Sequence, residues 1–359
     1  MGCEDSMSKK QKILFVSGSL NRGGAQRVIA LLADDYVRQG WSVHVAILLY
    51  PEIEYEISDQ IIIHNIVQHS SQFKNIFKWI SHIRRIILME KPDVIVSFAG
   101  RVNLITMMAN MGTGIPVLVS ERNDPIYDRR SRLEQFLCKY FYSRADKVVF
   151  QTEYQREYYK KWCNKNSVII GNPILAPVYD GPHPKPDIVC VGKLMDQKNH
   201  PMMIRAFKMI ADEFPERSVY IYGEGSKRKE LEELLKEMRL TDRIHLPGNS
   251  SHIFDIMHTF EFFVMCSDYE GLSNALLEAM VSGMVCVTTA WNGVEEIVQD
   301  GVNGYLTPVG DAEALAEKLR TVLRADNTTL RQHSIETARA FCGDSIIQQW
   351  RMTINELTH

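Results

Sequence analysis

The sequence has no long apolar run. None of its stretches approaches the ~18–20 apolar residues that a membrane-spanning helix needs, and its first residues lack the apolar core of a secretory signal peptide. We therefore expect that no part of the 359 residues crosses a membrane. The expected location is cytoplasmic, either free or peripheral on the cytoplasmic face of a membrane.

Patterns typical of metal and redox sites are also missing. The seven cysteines are an odd number without Cys-x-x-Cys spacing. Cys190, Cys266 and Cys286 lie in apolar, strand-like runs, which predicts reduced, buried thiols. The eleven histidines show no ligand spacing, and no Asp-x-Asp motif is present. We therefore expect neither a metal ion nor a cofactor.

The Gly-x-Gly-x-x-Gly fingerprint of dinucleotide-binding proteins is absent as well, which argues against a nicotinamide oxidoreductase. The net charge is −3, and we expect no nucleic-acid partner. The charge is unevenly spread, at +6 for residues 1–175 and −9 for residues 176–359. The basic half favours an anionic partner, such as a membrane face or a diphosphate-bearing acceptor. A solvated surface explains so mild an excess equally well.

Short Val- and Ile-rich segments alternate with helical stretches in the first half of the chain, as in a parallel sheet whose strands are buried on both faces. The predicted strands are Lys12–Ser17, Ser42–Leu49, Ile61–Ile66, Asp93–Phe98, Pro116–Ser120, Lys147–Phe150 and Val168–Ile170. The predicted helices lie near 24–39, 73–90, 102–111, 131–143 and 152–161. This alternation indicates a doubly wound α/β sheet.

Five prolines interrupt the alternation between Asn172 and Pro186, because proline is excluded from helix interiors and stiffens a linker. The alternation restarts with predicted strands at Ile188–Val191, Ser218–Tyr222, Ile244–Leu246, Phe262–Met265, Val285–Thr288 and Tyr305–Thr307. We predict two Rossmann-like α/β domains, over residues 1–175 and 176–340, which face a deep cleft. Ligands bind such sheets beyond the carboxyl ends of the strands.

The loop after the first predicted strand contains Gly23 and Gly24 directly before a helix. Glycines let the backbone approach a ligand closely, and a helix N-terminus favours phosphate. A plain tight turn is the simpler explanation of a Gly-Gly pair taken alone.

The second domain opens with Lys193 and Lys198 in the loop between a buried strand and a helix. Cations at that edge of a parallel sheet can neutralise a departing diphosphate without a metal ion. Two ordinary surface lysines are the alternative interpretation.

Two carboxylates, Glu270 and Glu278, are spaced by eight residues across a loop-to-helix junction. Such a pair can offer one carboxylate to a sugar and the other to a ribose diol. The alternative is that acidic residues near a helix start complement the helix dipole.

Five motifs in this order resemble the family 4 retaining glycosyltransferases, and the resemblance covers nearly the whole chain. They are Gly23-Gly-Ala-Gln-Arg27, Gly192-Lys193-x4-Lys198, Gly223-Glu-Gly225, Glu270-x7-Glu278 and Asp300-Gly-Val-Asn-Gly304. These enzymes have the GT-B fold. The resemblance implies a hexosyltransferase that uses a nucleotide diphosphate sugar, with UDP as the expected nucleotide.

The resemblance also implies roles for individual residues. The amides of Gly23 and Gly24, together with Lys193 and Lys198, would contact the donor diphosphate. Glu270 would bind donor-sugar hydroxyls with the amides of Gly271, Leu272 and Ser273, while Glu278 would hold the ribose. The stretch Gly248–Ile253 would lie beside the base. The helix of residues 341–359, which contains Trp350, would pack on the first domain.

The chain departs from the family pattern in one loop of the first domain. Many relatives carry a sugar-contacting His there, whereas this sequence reads Ser120-Glu-Arg-Asn-Asp-Pro125. Asn123 or Arg122 could make that contact instead, and a structural turn at Asp124-Pro125 is equally plausible.

The resemblance implies a reaction in which the anomeric configuration is retained without a protein nucleophile. The leaving phosphate would accept the acceptor proton on the same face of an oxocarbenium-like transition state. The protein would then contribute positioning and charge stabilisation.

A predicted helix over 73–91 suggests a membrane contact. Phe73, Phe77, Ile80 and Ile87 are expected on one face, and Lys74, Lys78 and Arg85 on another. Such a helix can lie on an anionic membrane, or it can bury its apolar side in the domain core. The resemblance to enzymes that build lipid-linked glycans favours the membrane and a lipid-linked glycan acceptor.

Two other functions remain open from the sequence. One is a nucleotide-sugar epimerase of the same fold, against which the Glu270/Glu278 pair argues. The other is a non-catalytic sugar-nucleotide-binding protein, which the presence of Lys198 and Glu270 disfavours.

Overall fold

The computed structural model describes residues 10–21, 23–66, 76–127, 130–163, 165–179 and 181–358. The chain divides into two compact units. The first comprises residues 1–172 together with 344–359, and the second comprises residues 173–343.

The first unit contains a parallel sheet of seven strands in the order β3-β2-β1-β4-β5-β6-β7. Most of its strand residues are buried, because helices cover both faces. The strands are β1 (Lys12–Ser17), β2 (Ser42–Ile47), β3 (Ile62–Asn65), β4 (Val94–Phe98), β5 (Val117–Ser120), β6 (Lys147–Phe150) and β7 (Ser167–Ile169). The helices are α1 (Gly24–Arg38), α2 (Ile76–Glu90), α3 (Gly100–Asn110), α4 (Arg132–Tyr142) and α5 (Glu153–Cys163).

The second unit repeats this arrangement with six parallel strands in the order β10-β9-β8-β11-β12-β13. The strands are β8 (Lys185–Val191), β9 (Val219–Tyr222), β10 (Ile244–Gly248), β11 (Phe260–Met265), β12 (Val285–Thr289) and β13 (Tyr305–Thr307). The helices are α6 (His200–Ile210), α7 (Arg228–Glu237), α8 (Ile253–Met257), α9 (Asn274–Val281), α10 (Ala312–Arg324) and α11 (Thr328–Arg339). Both sheets reverse direction beside their first strand, which confirms the prediction of two doubly wound, Rossmann-like units.

The last helix, α12 (Gly343–Asn355), packs with the first unit. Trp350 is fully buried, and its ring centroid lies 5.4 Å from that of Phe98 on β4. Arg351 binds Asp35 of α1 through two hydrogen bonds of 3.0 and 2.7 Å. The C-terminal helix therefore contributes to the core of the first unit.

The proline-rich segment differs from the predicted linker in two ways. Pro186 lies inside β8, before that strand begins to pair with β9 at Ile188, so its missing N–H interrupts no bond of that ladder. His183 packs into the second unit, where its ring nitrogens lie 2.8 Å from the carbonyl oxygen of His258 and 3.2 Å from that of Gly283. The prediction that Pro186 precedes the strand is therefore wrong.

The described cysteines are all free thiols, as expected. Burial raises the pKa of the Cys190 thiol to about 12, so that thiol is protonated at neutral pH. Among the described residues, no helix is both long and apolar enough to span a bilayer.

Candidate active site

Two adjacent loops of the second unit bring together residues that the sequence separates by about seventy positions. Strands β8 and β11 are neighbours at the point where the strand order reverses. The loops that leave their carboxyl ends therefore lie side by side, at the place where doubly wound sheets bind ligands. The first loop carries Lys193 and Lys198, and the second carries Glu270.

Lys198 and Glu270 form an ion pair across these loops. The Lys198 Nζ lies 2.5 Å from Glu270 Oε1, and both side chains are largely buried. An ammonium group has three N–H donors, and one of them is directed at Glu270. The structure therefore brings these two predicted site residues together, with donors left on Lys198 that can reach an anion.

Neighbouring hydrogen bonds fix the two loops to each other. Gln197 Nε2 donates to the Tyr269 carbonyl oxygen at 2.7 Å, and the amide of Asp268 donates to the Gln197 carbonyl oxygen at 2.8 Å. Asn199 Nδ2 donates to Asp268 Oδ1 at 2.8 Å. Sequence reasoning missed the role of Asp268, because a lone Asp beyond a strand carries no signal of its partner.

The positive charge of this loop comes from its lysines and not from the adjacent histidine. Burial, and next the Lys198 ammonium, lower the pKa of His200 to about 4, so His200 is neutral at pH 7. Lys193 is exposed in the same loop. Of the two lysines in this loop, Lys198 is thus largely buried and Lys193 is exposed.

Two glycines of the loop after β9 pack closely against the backbone of the loop that carries Lys193 and Lys198. A Cβ at Gly223, whose φ is +146°, would lie 1.9 Å from the Gly192 carbonyl oxygen. A Cβ at Gly225 would lie 2.2 Å from the Leu194 carbonyl oxygen. No larger residue fits without moving the backbone on either side of Lys193. The Gly223-Glu-Gly225 motif therefore acts by letting two loops touch.

The second carboxylate of the predicted pair lies on α9. Ser273 caps this helix by accepting a hydrogen bond from the Leu276 amide at 3.4 Å. Glu278 is 4% exposed and lies beyond the first turn, which contains no acidic residue. The alternative interpretation, an acidic residue that complements the helix dipole from the first turn, therefore does not apply to Glu278. Gly271 and Leu272 lie in the loop before the cap, beside Glu270.

The remaining predicted donor residues of this unit lie at another strand end. Gly248 is the last residue of β10 and has a φ of +87°, a conformation that favours glycine. Ile253 is the half-buried first residue of α8. Gly248 therefore lies at the carboxyl end of its strand, and Ile253 follows in the helix after it.

In the first unit, Gly23 makes contacts that the sequence did not reveal. Its amide donates to the Tyr55 hydroxyl at 3.0 Å, and the same hydroxyl donates to the Gly23 carbonyl oxygen at 2.9 Å. Gly23 precedes α1, and Gly24 is the first residue of that helix. Tyr55 thus fixes the backbone at the helix start, where N–H groups lack partners within the helix.

The loop after β5 separates the two candidates for the sugar contact of this unit. Arg122 is buried, with its guanidinium 5.0 Å from the Phe98 ring and 5.2 Å from the Trp350 ring. Its Nη1 donates to Asn172 Oδ1 at 2.8 Å. Asn123 is exposed. Of the two, Asn123 is accessible to a ligand, while Arg122 supports the loop.

One histidine cluster was not expected from the sequence. His44 Nδ1 lies 2.9 Å from His64 Nε2, and Glu90 is near enough to complete a set of three metal-ligand atoms. The Glu90 carboxylate is already paired with Lys12 at 2.9 Å. His44 lies near the amino end of its strand, away from the edge that carries the loops described above. His44, His64 and Glu90 therefore form a polar cluster that lies outside the candidate active site.

The predicted faces of α2 are only partly correct. Its buried face consists of Trp79, Ile83 and Ile87. Phe77 is 77% exposed and shares the outward side with Lys78 and Arg85, which are exposed as predicted. The prediction that Phe77 shares a face with Ile87 is wrong, because Ile87 is buried together with Trp79 and Ile83 while Phe77 faces outward. Phe73 and Lys74 lie outside the described residues.

Comparisons with known proteins match both units. Residues 22–174 match a family model described as Glycosyltransferase Family 4, and residues 176–341 match one described as Glycosyl transferases group 1. Two relatives come from Campylobacter jejuni. One is a GalNAc-α-(1→4)-GalNAc-α-(1→3)-diNAcBac-PP-undecaprenol α-1,4-N-acetyl-D-galactosaminyltransferase, 24% identical over 96% of this chain and 99% of its own. The other is an N-acetylgalactosamine-N,N'-diacetylbacillosaminyl-diphospho-undecaprenol 4-α-N-acetylgalactosaminyltransferase, 27% identical over 94% and 96%.

Solved structures agree on the fold. Anabaena HepE in complex with UDP and glucose superposes with a TM-score of 0.84, at 18% identity over 96% of this chain and 99% of that one. The sucrose-phosphate synthase of Thermosynechococcus elongatus gives a TM-score of 0.84, at 18% identity over 97% and 99%.

The two Rossmann-like units, together with these matches, identify a GT-B glycosyltransferase. The chain belongs to the family 4 glycosyltransferases, and the relationship extends over almost its whole length.

Proposed function

We propose that the protein transfers an N-acetylhexosamine, or a hexose, from a UDP-sugar to a lipid-linked glycan with retention of the anomeric configuration. The observation that carries the proposal is the Lys198–Glu270 pair at the switch point of the second sheet. A cation placed there stabilises charge that develops on a leaving diphosphate. The carboxylate beside it accepts hydrogen bonds from sugar hydroxyls.

The choice of donor and acceptor is supported by the two Campylobacter relatives. Both are named as N-acetylgalactosaminyltransferases that act on diphospho-undecaprenol-linked saccharides. These names support a UDP-N-acetylhexosamine as the proposed donor for this chain. A polyprenyl diphosphate acceptor is the proposed lipid carrier, which agrees with the +6 charge of residues 1–175.

We also propose that the transfer needs no metal ion. In this proposal Lys198 supplies the positive charge for which other transferases use a divalent cation. Turnover in excess chelator is expected to equal turnover in its absence. A strict requirement for Mg²⁺ in the chemical step would overturn this part of the proposal.

The proposal is tested with purified protein, a panel of UDP-sugars and a short-chain polyprenyl-diphosphate glycan. Release of UDP should require both the acceptor and one N-acetylhexosamine or hexose donor. Nuclear magnetic resonance of the product should show the α configuration of the donor. Release of UDP with inversion, or conversion of the UDP-sugar to its epimer without transfer, would contradict the proposal.

We propose further that the outward side of α2, with Lys78 and Arg85, faces an anionic membrane surface. Lys74, which belongs to the same predicted basic set, lies outside the described residues. A membrane contact would bring the enzyme to an acceptor whose lipid is embedded in the bilayer.

A further inference from the structure

Helix α4 carries a stripe of large apolar side chains that face solvent. Leu133, Phe136 and Tyr140 are 66%, 62% and 43% exposed, and their i, i+3, i+7 spacing puts them on one side of the helix. The opposite side, with Cys138, Phe141 and Tyr142, is buried. Core packing therefore does not explain why these three residues are apolar.

Arginines lie at both ends of this stripe. Arg132 is exposed beside Leu133, and the Arg144 guanidinium lies 3.7 Å from the Tyr140 ring centroid. The one carboxylate of α4, Glu134, points elsewhere, because it is bound by Arg101 at 2.8 Å and by the Ser131 amide at 2.7 Å. We call Arg132, Leu133, Phe136, Tyr140 and Arg144 the α4 stripe.

The neighbouring helix α5 adds further exposed aromatic and basic side chains. Lys139 of α4 lies 4.4 Å from the ring of Trp162, which is itself partly exposed. Lys160 and Lys161 are exposed at the same end of α5. Residues 130–165 contain nine Lys/Arg against four Asp/Glu. One of the nine, Arg130, is buried in an ion pair with Glu121, so the other eight set the charge of the surface. Tyr, Trp and Arg or Lys together are typical of the boundary between water and the acyl chains of a bilayer.

The stripe lies on the same side of the first unit as the outward face of α2. Helices α2, α3, α4 and α5 pack in succession, and their inner sides form one hydrophobic cluster against the sheet. Helices α1 and α12 pack in a different cluster. The exposed Phe77 of α2 and the α4 stripe therefore belong to one layer of helices.

We propose that the α4 stripe inserts into the headgroup region of an anionic bilayer and anchors the first unit there. The inference deepens the proposed function, since it rests on an acceptor that is lipid-linked. A second copy of the chain is the poorer occupant, because a two-fold contact through this patch would bring the exposed Arg132 and Arg144 of one copy near those of the other. Anionic lipid complements the charge and accepts the apolar side chains.

The proposal is tested with the full chain and vesicles of phosphatidylcholine, with and without phosphatidylglycerol, in the absence of donor and acceptor. Leu133→Ser combined with Phe136→Ser should weaken binding to the mixed vesicles about tenfold, because two apolar side chains lose their transfer from water. The matched control combines Met209→Ser with Met352→Ser, two exposed apolar residues on other helices, which are 42% and 61% exposed. It should bind like the wild type, and the melting temperatures of all three proteins should agree.

Salt separates the α4 stripe from the basic face of α2. The loss in the Leu133/Phe136 variant should persist at high salt, because apolar insertion is not screened, whereas charge attraction is. Wild-type binding by this variant would overturn the proposal. The proposal would also be overturned if the wild type were dimeric and the variant monomeric while both bound vesicles equally well. Either result leaves the transfer reaction itself intact, since no substrate enters the assay.

Discussion

The Lys198 ammonium and the Glu270 carboxylate, seventy-two positions apart in the sequence, are joined by a hydrogen bond of 2.5 Å. The bond links the loop after β8 to the loop after β11, at the strand switch point of the second unit. Each partner therefore holds the other in place. A ligand that reaches one of these groups is also within range of the other.

Lys198→Ala should lower kcat about 10²–10³-fold in a protein that remains folded, because it removes the cation proposed to stabilise the leaving diphosphate. The measurement is steady-state release of nucleotide in the presence of acceptor, with circular dichroism to check the fold. Lys208→Ala, which changes an exposed lysine on α6, is the control and should keep wild-type turnover. Wild-type turnover in folded Lys198→Ala would remove Lys198 from the catalytic residues.

The two glutamates should respond differently to replacement by Gln. Glu278→Gln should weaken binding of free UDP about tenfold, because the ribose contact proposed for Glu278 would exist whether or not a sugar is attached. Glu270→Gln should leave UDP affinity nearly unchanged and lower the rate of transfer, since the Gln oxygen can still accept a hydrogen bond from Lys198. Calorimetry with UDP, together with turnover, distinguishes the two roles. The reverse pattern would show that the roles are exchanged.

A triple variant in which Ser replaces Lys74, Lys78 and Arg85 should be released from acidic vesicles at low salt. Each cation near an anionic surface contributes about 1 kcal/mol, so the three together contribute ~3 kcal/mol, a factor above one hundred in partitioning. The difference between variant and wild type should shrink as salt rises. Co-sedimentation measures it, and a variant that sediments like the wild type at low salt would show that α2 makes no membrane contact.

Acid should destabilise the first unit through His44. Burial lowers the pKa of His44 to about 4, while Glu90 opposes this effect and His64 and Lys12 add to it. Because the unfolded value is about 6.5, the unfolded chain binds more protons between these limits, and stability falls as pH decreases. Linkage gives a loss of about 2 kcal/mol between pH 7 and 5.

The measurement for His44 is the free energy of unfolding in urea at pH 7 and pH 5. His44→Gln cannot titrate, so its stability should decrease less over this interval than that of the wild type. Equal losses in the two proteins would show that other groups cause the acid sensitivity.

Both sheets were predictable from the sequence because most of their strands are rich in buried apolar residues. A run such as Lys12–Ser17 or Tyr305–Thr307 ends where apolar residues give way to turn residues, and the structure has the same bounds. Helix α2 was harder, because Phe77 is apolar and yet faces solvent. Hydrophobic spacing alone cannot distinguish an apolar residue that faces the core from one that faces outward.

The site was predictable as a set of residue types but not as a set of contacts. Lys198 and Glu270 were identified from motifs, whereas their direct bond depends on the order of strands in the sheet. Tyr55 gave no signal, because its bonds to Gly23 connect segments thirty-two positions apart and need no special residue spacing. Long-range polar contacts of this kind follow from tertiary structure alone.

Trp350, which packs against Phe98 of the first unit, has a consequence for biosynthesis. A ribosome releases this part of the chain only after the whole second unit has been made. Until then the site in the first unit that Trp350 fills is exposed to water, and a tryptophan missing from a core costs about 3–5 kcal/mol. The second unit can fold while translation continues. The first unit is complete only when residues 344–359 have been made, although most of it is synthesised first.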